Sequence, residues 1–427
     1  MANISKKLTE LLNGEETYSG FDNARVSINV DGYFENITGT NQGRDSISVQ
    51  ADAVSSTITL NAGNDKVKIQ GDYFGGNVIT GFGDDRIDIK GKYGGGAVDT
   101  GDGVDTVNIK GEGYAGSVET GTGADKLNLT AKYLEADIDA GSGADIIKLK
   151  SFGYDGDLTA GSGNDTITIT GKVMRGDVDG GANDDTITMK GKDSIENTEI
   201  SGGDGVDTML LQGANFAGSF NGDAGEDIMT IKSKNMFGEV DGGADNDKIE
   251  VSVKNLLGNI SGGEGDDTIL LTSKSNLVTG SINGDAGDDN ITINAKSFLG
   301  SVNGGEGDDT ITINAKGFSG SIDGGDDDLV GDTLNIESSI SKLSTIVNVE
   351  NIELANSVDI FADSLESSTR VIGESGSTID LSGWTDLGNI TNDGIDDFYQ
   401  DGAVIVTVED TGAGETFNVA TGIYTFA

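Results

Sequence analysis

Aspartate recurs along this chain at a nearly constant spacing, and each recurrence follows a glycine-rich stretch. The spacing is 20 residues, apart from two steps of 22 residues, from Asp185 to Asp207 and from Asp267 to Asp289. We call these residues the anchor aspartates; they are Asp45, Asp65, Asp85, Asp105, Asp125, Asp145, Asp165, Asp185, Asp207, Asp227, Asp247, Asp267, Asp289 and Asp309. Carboxylate oxygens are the ligands that hard cations such as Ca²⁺ prefer in proteins.

The sites two and four residues before each anchor carry residues that tolerate a left-handed backbone. Glycine stands two residues before the anchor in all coils except those with Asn183 and Asp245. Four residues before the anchor, the exceptions are Asn41, Asn61, Asp223 and Asp285. Asn and Asp are the non-glycine residues that best adopt positive φ, so the pattern predicts positive φ at both positions. Such a turn can direct main-chain carbonyl oxygens inward beside the carboxylate.

The residue types available restrict the metal. The chain contains no His and no Cys, so zinc and copper lack their usual nitrogen and sulfur ligands, whereas an oxygen-only turn suits Ca²⁺. Stacked coils would place neighbouring anchors about 4.8 Å apart, where two unit charges repel by roughly 0.9 kcal/mol in water. Divalent cations between the coils would turn that repulsion into attraction. The alternative is a solvated acidic face on glycine turns, without bound metal.

Composition excludes several classes of partner. The formal net charge of −46 argues against nucleic acid and anionic membranes as partners and favours bound cations. Without cysteine the chain has no disulfides and no thiol chemistry. The first residues, MANISKKLTELLNGEETYSG, lack the apolar core of a signal peptide, and no stretch is long enough to span a bilayer.

The elements that must position the anchors follow from the same alignment. Apolar residues stand two and four places after the anchor, as in Ile311 and Ile313, and again thirteen places after it, as in Ile322. Alternation at period two predicts a strand, and a fixed 20-residue period predicts a solenoid, so each coil should read strand, turn, strand, turn. Both two-residue insertions fall after the first strand, in KDSIENTEI and KSNLVTGSI, whereas the turn before the anchor keeps its length.

The sequences GGEGDDTIT (304–312), GGEGDDTIL (262–270) and GSGNDTITI (161–169) resemble the glycine- and aspartate-rich nonapeptide of RTX proteins, and the resemblance continues in register over about residues 41–336. The resemblance implies a parallel β-roll that holds Ca²⁺ between successive turns, with the anchor aspartates as carboxylate ligands. RTX coils usually have 18 residues and a calcium turn on both edges. This chain has one such turn in each 20-residue coil, so we expect one calcium edge.

The opposite edge carries a different pattern. Lysine recurs seven places after the anchor, at Lys92, Lys132, Lys172, Lys192, Lys234, Lys254, Lys274, Lys296 and Lys316. A bulky residue follows, which we interpret as a plug for the end of the coil: Tyr93, Tyr114, Tyr133, Tyr154, Met174, Phe216, Met236, Leu256, Phe298 and Phe318. The lysines form either a solvated fringe or a basic contact surface for neighbouring molecules or anionic polysaccharide.

The predicted fold class is all-β, a parallel β-solenoid with three parts. Residues 1–20 form an N-terminal helical cap, with an amphipathic helix over 3–13; residues 21–337 form the calcium-binding solenoid; and residues 338–427 form a separate β-rich cap. Asp332 is the candidate anchor of one last coil. The final residues, ETFNVATGIYTFA, resemble the uncleaved secretion signal that type I systems use for RTX proteins.

These features favour a secreted, calcium-binding structural protein that folds on extracellular Ca²⁺ and self-assembles at the cell surface into a layer, filament or matrix, as a homo-oligomer or polymer. The alternative is a calcium-dependent adhesin or glycan-binding module that recognises surface polysaccharide. Outward Thr-x-Thr pairs, such as Thr310 and Thr312, leave an ice-binding face as a minor variant. We expect no catalytic activity, since the chain lacks the His and Cys of the usual triads and dyads.

Overall fold

The computed structural model describes residues 43–326 except 276–277, together with 331–338 and 345–355, and outside these ranges the short strands given below. Two compact units divide the chain, Met1–Ala214 and Asn215–Ala427. Both are built mainly from strands that pair in parallel, with antiparallel pairs among the strands after residue 377, and this confirms the all-β solenoid class. No helix in the described part of the chain has the length and apolar character needed to cross a bilayer.

In the first unit, each coil begins with a strand directly after its anchor. These strands are Ser46–Gln50, Lys66–Gln70, Arg86–Lys90, Thr106–Lys110, Lys126–Leu134, Ile146–Asp155, Thr166–Arg175 and Thr186–Asp204. Short strands at the following corner are Ala53–Val54, Tyr73–Phe74, Tyr93–Gly95 and Gly113–Ala115. The returning strands are Thr57–Thr59, Val78–Ile79, Val98–Asp99, Ser117–Glu119, Asp137–Asp139, Leu158–Ser162 and Val178–Ala182. Earlier strands are Asn3–Ser5, Thr17–Phe21, Arg25–Asn29 and Asn36–Gly39.

The second unit repeats this order. Strand Thr208–Ala224 runs across the boundary between the units. The strands that follow it are Ile228–Met236, Glu239–Ala244, Lys248–Leu256, Ile260–Glu264, Thr268–Ser273, Ile282–Ala286, Asn290–Phe298, Val302–Glu306, Thr310–Phe318, Ser321–Asp326, Thr333–Ile336, Thr345–Val347 and Asn351–Leu354. The remaining strands are Asp359–Phe361, Thr369–Gly373, Thr378–Asp380, Thr385–Gly388, Asp396–Gln400, Val404–Glu409, Thr416–Asn418 and Ile423–Thr425.

Successive coils pair in parallel with like residues opposite one another. Ile87 pairs with Val107 and Ile89 with Ile109, so the apolar positions two and four places after the anchor stack in columns. All four side chains are at most 4% exposed. Each buried aliphatic side chain of this size contributes roughly 1.5–3 kcal/mol of hydrophobic stabilisation, and the columns therefore hold the interior together.

The plug positions at the far corner need one correction. Eight of the ten predicted plugs are buried, but Tyr93 is 47% and Tyr133 is 49% exposed. Both tyrosines stand eight rather than nine places after the anchor, and neighbouring side chains on a strand point to opposite faces. Leu134 fills the interior beside Tyr133, and the Tyr114 ring occupies the space next to Gly94.

Both insertions lie in the predicted turn. Gly171 pairs with Gly191, Val173 with Ser194 and Val178 with Ile200, so the extra residues lie between Gly191 and Ile200, where the continuous strand Thr186–Asp204 runs through the predicted turn. In the other coil the offset changes between the pairs Val253–Ser273 and Leu256–Val278, again after the first strand. The turn before the anchor receives no insertion in either coil.

The ends of the chain differ in part from the predicted domains. Asn3–Ser5 is a strand that pairs in parallel with Arg25–Asn29, and the rest of the expected helix over 3–13 lies outside the described residues. Parallel pairing also continues beyond residue 337, because Thr333–Ile336 pairs with Asn351–Leu354, which pairs with Thr369–Gly373. A boundary at 337 therefore does not interrupt the stacking of strands, and the division into three parts stays a prediction.

The glycines before the anchors predict the outcome of a matched pair of substitutions. Gly121 has φ +81°, and a Cβ built on it would lie 2.2 Å from the carbonyl oxygen of Gly101. We expect Gly121→Ala to lower the free energy of unfolding by at least about 1–3 kcal/mol, since a positive φ and a backbone clash combine. Chemical denaturation monitored by circular dichroism measures the change.

Gly75→Ala is the control for this prediction, because a Cβ at Gly75 meets no atom within 4 Å. That variant should unfold within about 1 kcal/mol of the parent protein. Equal effects of the two substitutions would contradict the role assigned to the turn.

Candidate metal-binding turns

The anchor aspartates lie inside the solenoid rather than on its surface. All fifteen predicted site residues, the fourteen anchors and Asp332, are at most 3% exposed. Each is carried at the start of a first strand, so the parallel register of the coils places the anchors of each unit in a single row. The structure thus brings the predicted carboxylates together within each unit, one per coil.

One oxygen of each carboxylate holds the next coil in place. The backbone N–H of Asp145 donates to Oδ1 of Asp165 at 2.6 Å, and the same bond joins successive anchors elsewhere in the row at 2.6–2.8 Å. Asp332 takes part in this ladder, since its Oδ1 accepts the N–H of Asp309 at 2.7 Å. The candidate fifteenth anchor therefore occupies the predicted structural position.

In seven anchors the other carboxylate oxygen has no hydrogen-bond partner among the described residues. The residues concerned are Asp65, Asp145, Asp165, Asp185, Asp247, Asp267 and Asp289, whose Oδ2 atoms are all buried. Buried polar atoms are nearly always paired, and an unpaired charge in a protein interior is costly. These oxygens are therefore the candidate metal ligands of the turn.

Burial raises the pKa of these carboxyls far above the ordinary aspartate value of 3.8. Loss of hydration is the largest cause, ahead of repulsion between neighbouring anchors, and the hydrogen bond from the adjacent anchor N–H offsets part of it. The pKa rises to about 6 in Asp85, Asp165 and Asp267, to about 7 in Asp65, Asp105, Asp145, Asp185 and Asp247, and to about 8 in Asp289. The expected cause of instability, repulsion in water, is therefore secondary to desolvation.

Threonine moderates this effect in three coils. The hydroxyls of Thr80, Thr100 and Thr120, five residues before their anchors, interact with the carboxyls of Asp85, Asp105 and Asp125 and lower their pKa in part. Burial remains the largest influence on all three carboxyls. In the second unit this position is glycine, which leaves the anchor carboxylate with main-chain oxygens as neighbours.

Main-chain oxygen approaches the carboxylate at that glycine. A Cβ built on Gly242 would lie 2.4 Å from Oδ2 of Asp247 and 2.2 Å from the carbonyl oxygen of Gly262 in the next coil, so two hydrogen-bond acceptors face the same small space. Equivalent pairs of oxygens surround Gly180, Gly262, Gly284 and Gly304. The ladder of strand pairing omits this position in each of these coils, which frees the peptide to turn inward.

The turn has the backbone that the sequence predicts. From Asn61 onward, φ is positive four and two residues before every anchor through Asp309, including the non-glycine residues Asn61, Asn183, Asp223, Asp245 and Asp285. The N–H groups next to these positions bond along the stack, as in Phe82 to Asn61 and Gly83 to Asp102. Any cation held here would use one carboxylate per coil and main-chain oxygens, because no three acidic side chains converge among the described residues.

A second row of carboxylates runs outside the first. Asp84, Asp184, Asp266, Asp288 and Asp308 each stand one residue before an anchor and accept an N–H from the next coil at 2.9–3.0 Å. Asp266 and Asp288 are exposed, in contrast to the buried anchors beside them. Alternation along the strand thus separates an inner row from an outer one.

Sequence reasoning missed one member of the inner row. The backbone N–H of Asp332 donates to Oε2 of Glu350 at 3.0 Å, so a glutamate continues the ladder one coil further. The signal was present in NIEL (351–354), whose Ile352 and Leu354 stand two and four places after Glu350 and are buried. An alignment on aspartate alone could not detect it.

No family model matches this chain, and no curated protein matches it. Among solved structures, the chain is similar to a hyperactive, Ca²⁺-dependent, β-helical antifreeze protein from an Antarctic bacterium. The identity is 23%, the TM-score is 0.42, and the match covers 74% of this chain and 84% of that one. A similarity at this level does not extend to function.

The raised pKa values predict how the calcium-free protein responds to pH. The anchors titrate near 3.8 when unfolded and near 6–8 when folded, so between these values the folded state binds more protons than the unfolded state. The free energy of unfolding therefore falls as pH rises; the stabilisation is complete below about pH 4 and lost by about pH 8. Urea denaturation in EGTA at pH 5, 6, 7 and 8 should show a midpoint that decreases at each step.

A midpoint that rises between pH 5 and pH 8 in EGTA would show that the carboxylates are stabilised as anions without metal. The same series in millimolar Ca²⁺ is the control. Calcium would bind the deprotonated carboxylates of the folded state, so the decrease of the urea midpoint with pH should disappear or reverse.

Proposed function

We propose that this chain is an extracellular structural protein that folds around Ca²⁺ and assembles with copies of itself at the cell surface. The observation that carries the proposal is the row of buried anchor oxygens without a hydrogen-bond partner, of which Asp145, Asp185 and Asp247 are examples. Their neighbours are further oxygens, as at Gly242, so a cation supplies what the site lacks. The residues present fit Ca²⁺, which accepts carboxylate and carbonyl oxygen in flexible geometry.

Bound calcium would supply positive charge between the coils. The anchor carboxylates would hold it from inside the turn, while the positive-φ residues keep the main chain in the conformation that brings carbonyl oxygens close. The N–H to Oδ1 ladder would fix the spacing of the coils, so each site is shaped by two neighbours. Without the cation, the buried and uncompensated carboxylates would destabilise the folded state.

Secretion fits this dependence on calcium. Extracellular calcium modules bind with Kd of about 10⁻⁴–10⁻³ M, which is weaker binding than that of cytosolic sensors. A chain with sites of that affinity would stay unfolded until it meets extracellular calcium, because binding free energy is folding free energy for sites that form only in the folded state. The resemblance to RTX nonapeptides and to the type I secretion signal supports this localisation, and the lack of His and Cys supports a protein without catalytic activity.

The competing function is glycan binding by an adhesin, and one feature of the first unit favours it. Exposed Tyr73 and Tyr93 stack with ring centroids 5.7 Å apart, beside a groove of about 440 Å³ whose walls include Gln70, Lys90 and Asp72. Aromatic rings beside amides and paired charges suit the apolar faces and hydroxyls of sugars. Calcium-dependent folding into a lasting monomer that binds oligosaccharides would favour this function over assembly.

A matched pair of substitutions tests the role of the anchors. Asp185→Asn removes a buried charge, whereas Asp184→Asn removes the exposed charge beside it and keeps the oxygen that accepts the N–H of Val206. In saturating Ca²⁺ we expect Asp185→Asn to lose roughly 1–3 kcal/mol of unfolding free energy, because a site filled at ten times its Kd contributes about 1.4 kcal/mol. In EGTA at pH 8 the same variant should be at least as stable as the parent protein.

Asp184→Asn should change the free energy of unfolding little, both in saturating Ca²⁺ and in EGTA at pH 8. Circular dichroism and light scattering during calcium titration, followed by chelation, measure folding and assembly together. Stability that does not respond to calcium in the parent protein would overturn the proposal. A loss for Asp185→Asn that is equal with and without calcium would reduce the anchor to a structural role.

A further inference from the structure

The corner seven to ten places after the anchor differs between the two units. In the first unit three of its four lysines are engaged, and the exposed Lys192 forms no ion pair with a described residue. Lys92 pairs with Asp72 at 2.5 Å, Lys172 pairs with Asp193 at 2.9 Å, and the ammonium of Lys132 lies over the Tyr133 ring. In the second unit five lysines stand at the same position in consecutive coils and are exposed; they are Lys234, Lys254, Lys274, Lys296 and Lys316.

None of these five lysines forms an ion pair with a described residue. Their spacing along the stack is about 4.8 Å, so each repels its neighbours. The chain as a whole carries 73 acidic and 27 basic residues, and partners of opposite sign are abundant. A row of like charges left unpaired on such an acidic protein points to an acidic partner outside the unit.

An exposed apolar ridge runs parallel to these lysines. Phe237 is 51%, Leu257 is 44% and Leu299 is 44% exposed. Phe237 and Leu257 lie in adjacent coils, because the N–H of Leu257 donates to the carbonyl of Met236 at 2.9 Å. Thr279 occupies this position in the next coil, and the N–H of Leu299 donates to the carbonyl of Val278 at 2.7 Å in the coil after that. Apolar side chains beside a charged margin are the composition of a protein interface core and rim.

Hydrogen-bonded amides fix the surface between the lysines and the ridge. Asn235 donates to Asn215 at 2.7 Å, Asn255 to Asn235 at 2.6 Å, and the hydroxyl of Ser275 to Asn255 at 3.0 Å, each between adjacent coils. The ladder keeps this surface, here called the lysine edge, at a constant repeat. A partner therefore meets a preformed pattern of charges.

The other turn of the same coils offers the complementary pattern. Exposed acidic residues occupy the outside of the second unit's anchor turns, at Glu226, Glu264, Asp266, Asp288 and Glu306. We call them the acidic turn row. Both patterns follow the rise of the coil, so a lysine edge on one molecule and an acidic turn row on another match in spacing over several coils. Few unrelated partners would share that repeat.

We infer that the lysine edge of the second unit docks on the acidic turn row of a second copy of this chain. The inference rests on the proposed assembly and names the surfaces that produce it. The contact joins two different surfaces, so each molecule keeps one of each kind available, and the association extends rather than closing as a dimer. Calcium held by the inner carboxylates would leave the acidic turn row exposed for this contact.

Charge reversal tests the inference. The edge variant carries Lys254→Glu, Lys274→Glu and Lys296→Glu, and the row variant carries Glu226→Lys, Glu264→Lys and Glu306→Lys. Each places like charges opposite one another, so assembly in Ca²⁺ should require at least about tenfold more protein. An equimolar mixture restores opposite charges across the contact and should assemble near the parental concentration. Light scattering and electron microscopy report assembly.

The control variant carries Lys110→Glu, Lys150→Glu and Lys190→Glu, the same charge change at exposed lysines on a strand face that form no ion pair with a described residue. It should assemble like the parent protein. Circular dichroism during calcium titration, run on dilute samples, shows separately whether each variant folds.

The outcomes separate this inference from the proposed function. Calcium-dependent folding and assembly that the edge variant leaves unchanged would overturn the inference and leave the proposed function in place. Failure of the mixture to recover, or an equal loss in the control variant, would also overturn it. A parent protein that folds with calcium and stays monomeric would overturn the proposed assembly as well.

Discussion

A buried carboxylate in every coil determines how the rest of the coil is built. Each anchor places one oxygen on the N–H of its neighbour and the other in a space without a donor among the described residues in cases such as Asp145 and Asp247. Burial raises the pKa of these two groups to about 7, well above the ordinary aspartate value. A fold that repeats this cost in coil after coil depends on something that compensates the charge.

The surrounding residues are consistent with that constraint. The positions before the anchor have positive φ, and the residue five places before it is glycine in the second unit, which lets main-chain oxygen approach the carboxylate. Apolar columns on both sides exclude water, which strengthens every electrostatic interaction in the interior and makes a vacant site more costly. Folding and cation binding are therefore two descriptions of one equilibrium in this proposal.

The far corner of the coil is free of this constraint, and there the two units diverge. It accepts insertions of two residues, exposed tyrosines in the first unit, and an amide ladder with unpaired lysines in the second. From Asp45 to Asp309 the turn before the anchor keeps its length, and its backbone carries hydrogen bonds that run along the stack. The opposite corner only has to bury one plug residue, so it can carry surface functions that differ along the chain.

The solenoid, the coil length, the anchors and the positive-φ positions could be predicted from the residues alone, because a 20-residue period and the tolerance of Gly, Asn and Asp for left-handed backbone are local properties. Both insertions were placed correctly for the same reason. The outward orientation of Tyr93 and Tyr133 and the continuation of the ladder by Glu350 are visible only in the folded chain. The ion pairs of Lys92 and Lys172, and the lack of ion pairs with described residues along the lysine edge, likewise depend on the fold. Those features depend on which side chains meet across coils about 20 residues apart in sequence. The separation of inner from outer carboxylates was also a tertiary result, since the cost of a charge depends on the atoms packed around it and not on its spacing along the chain.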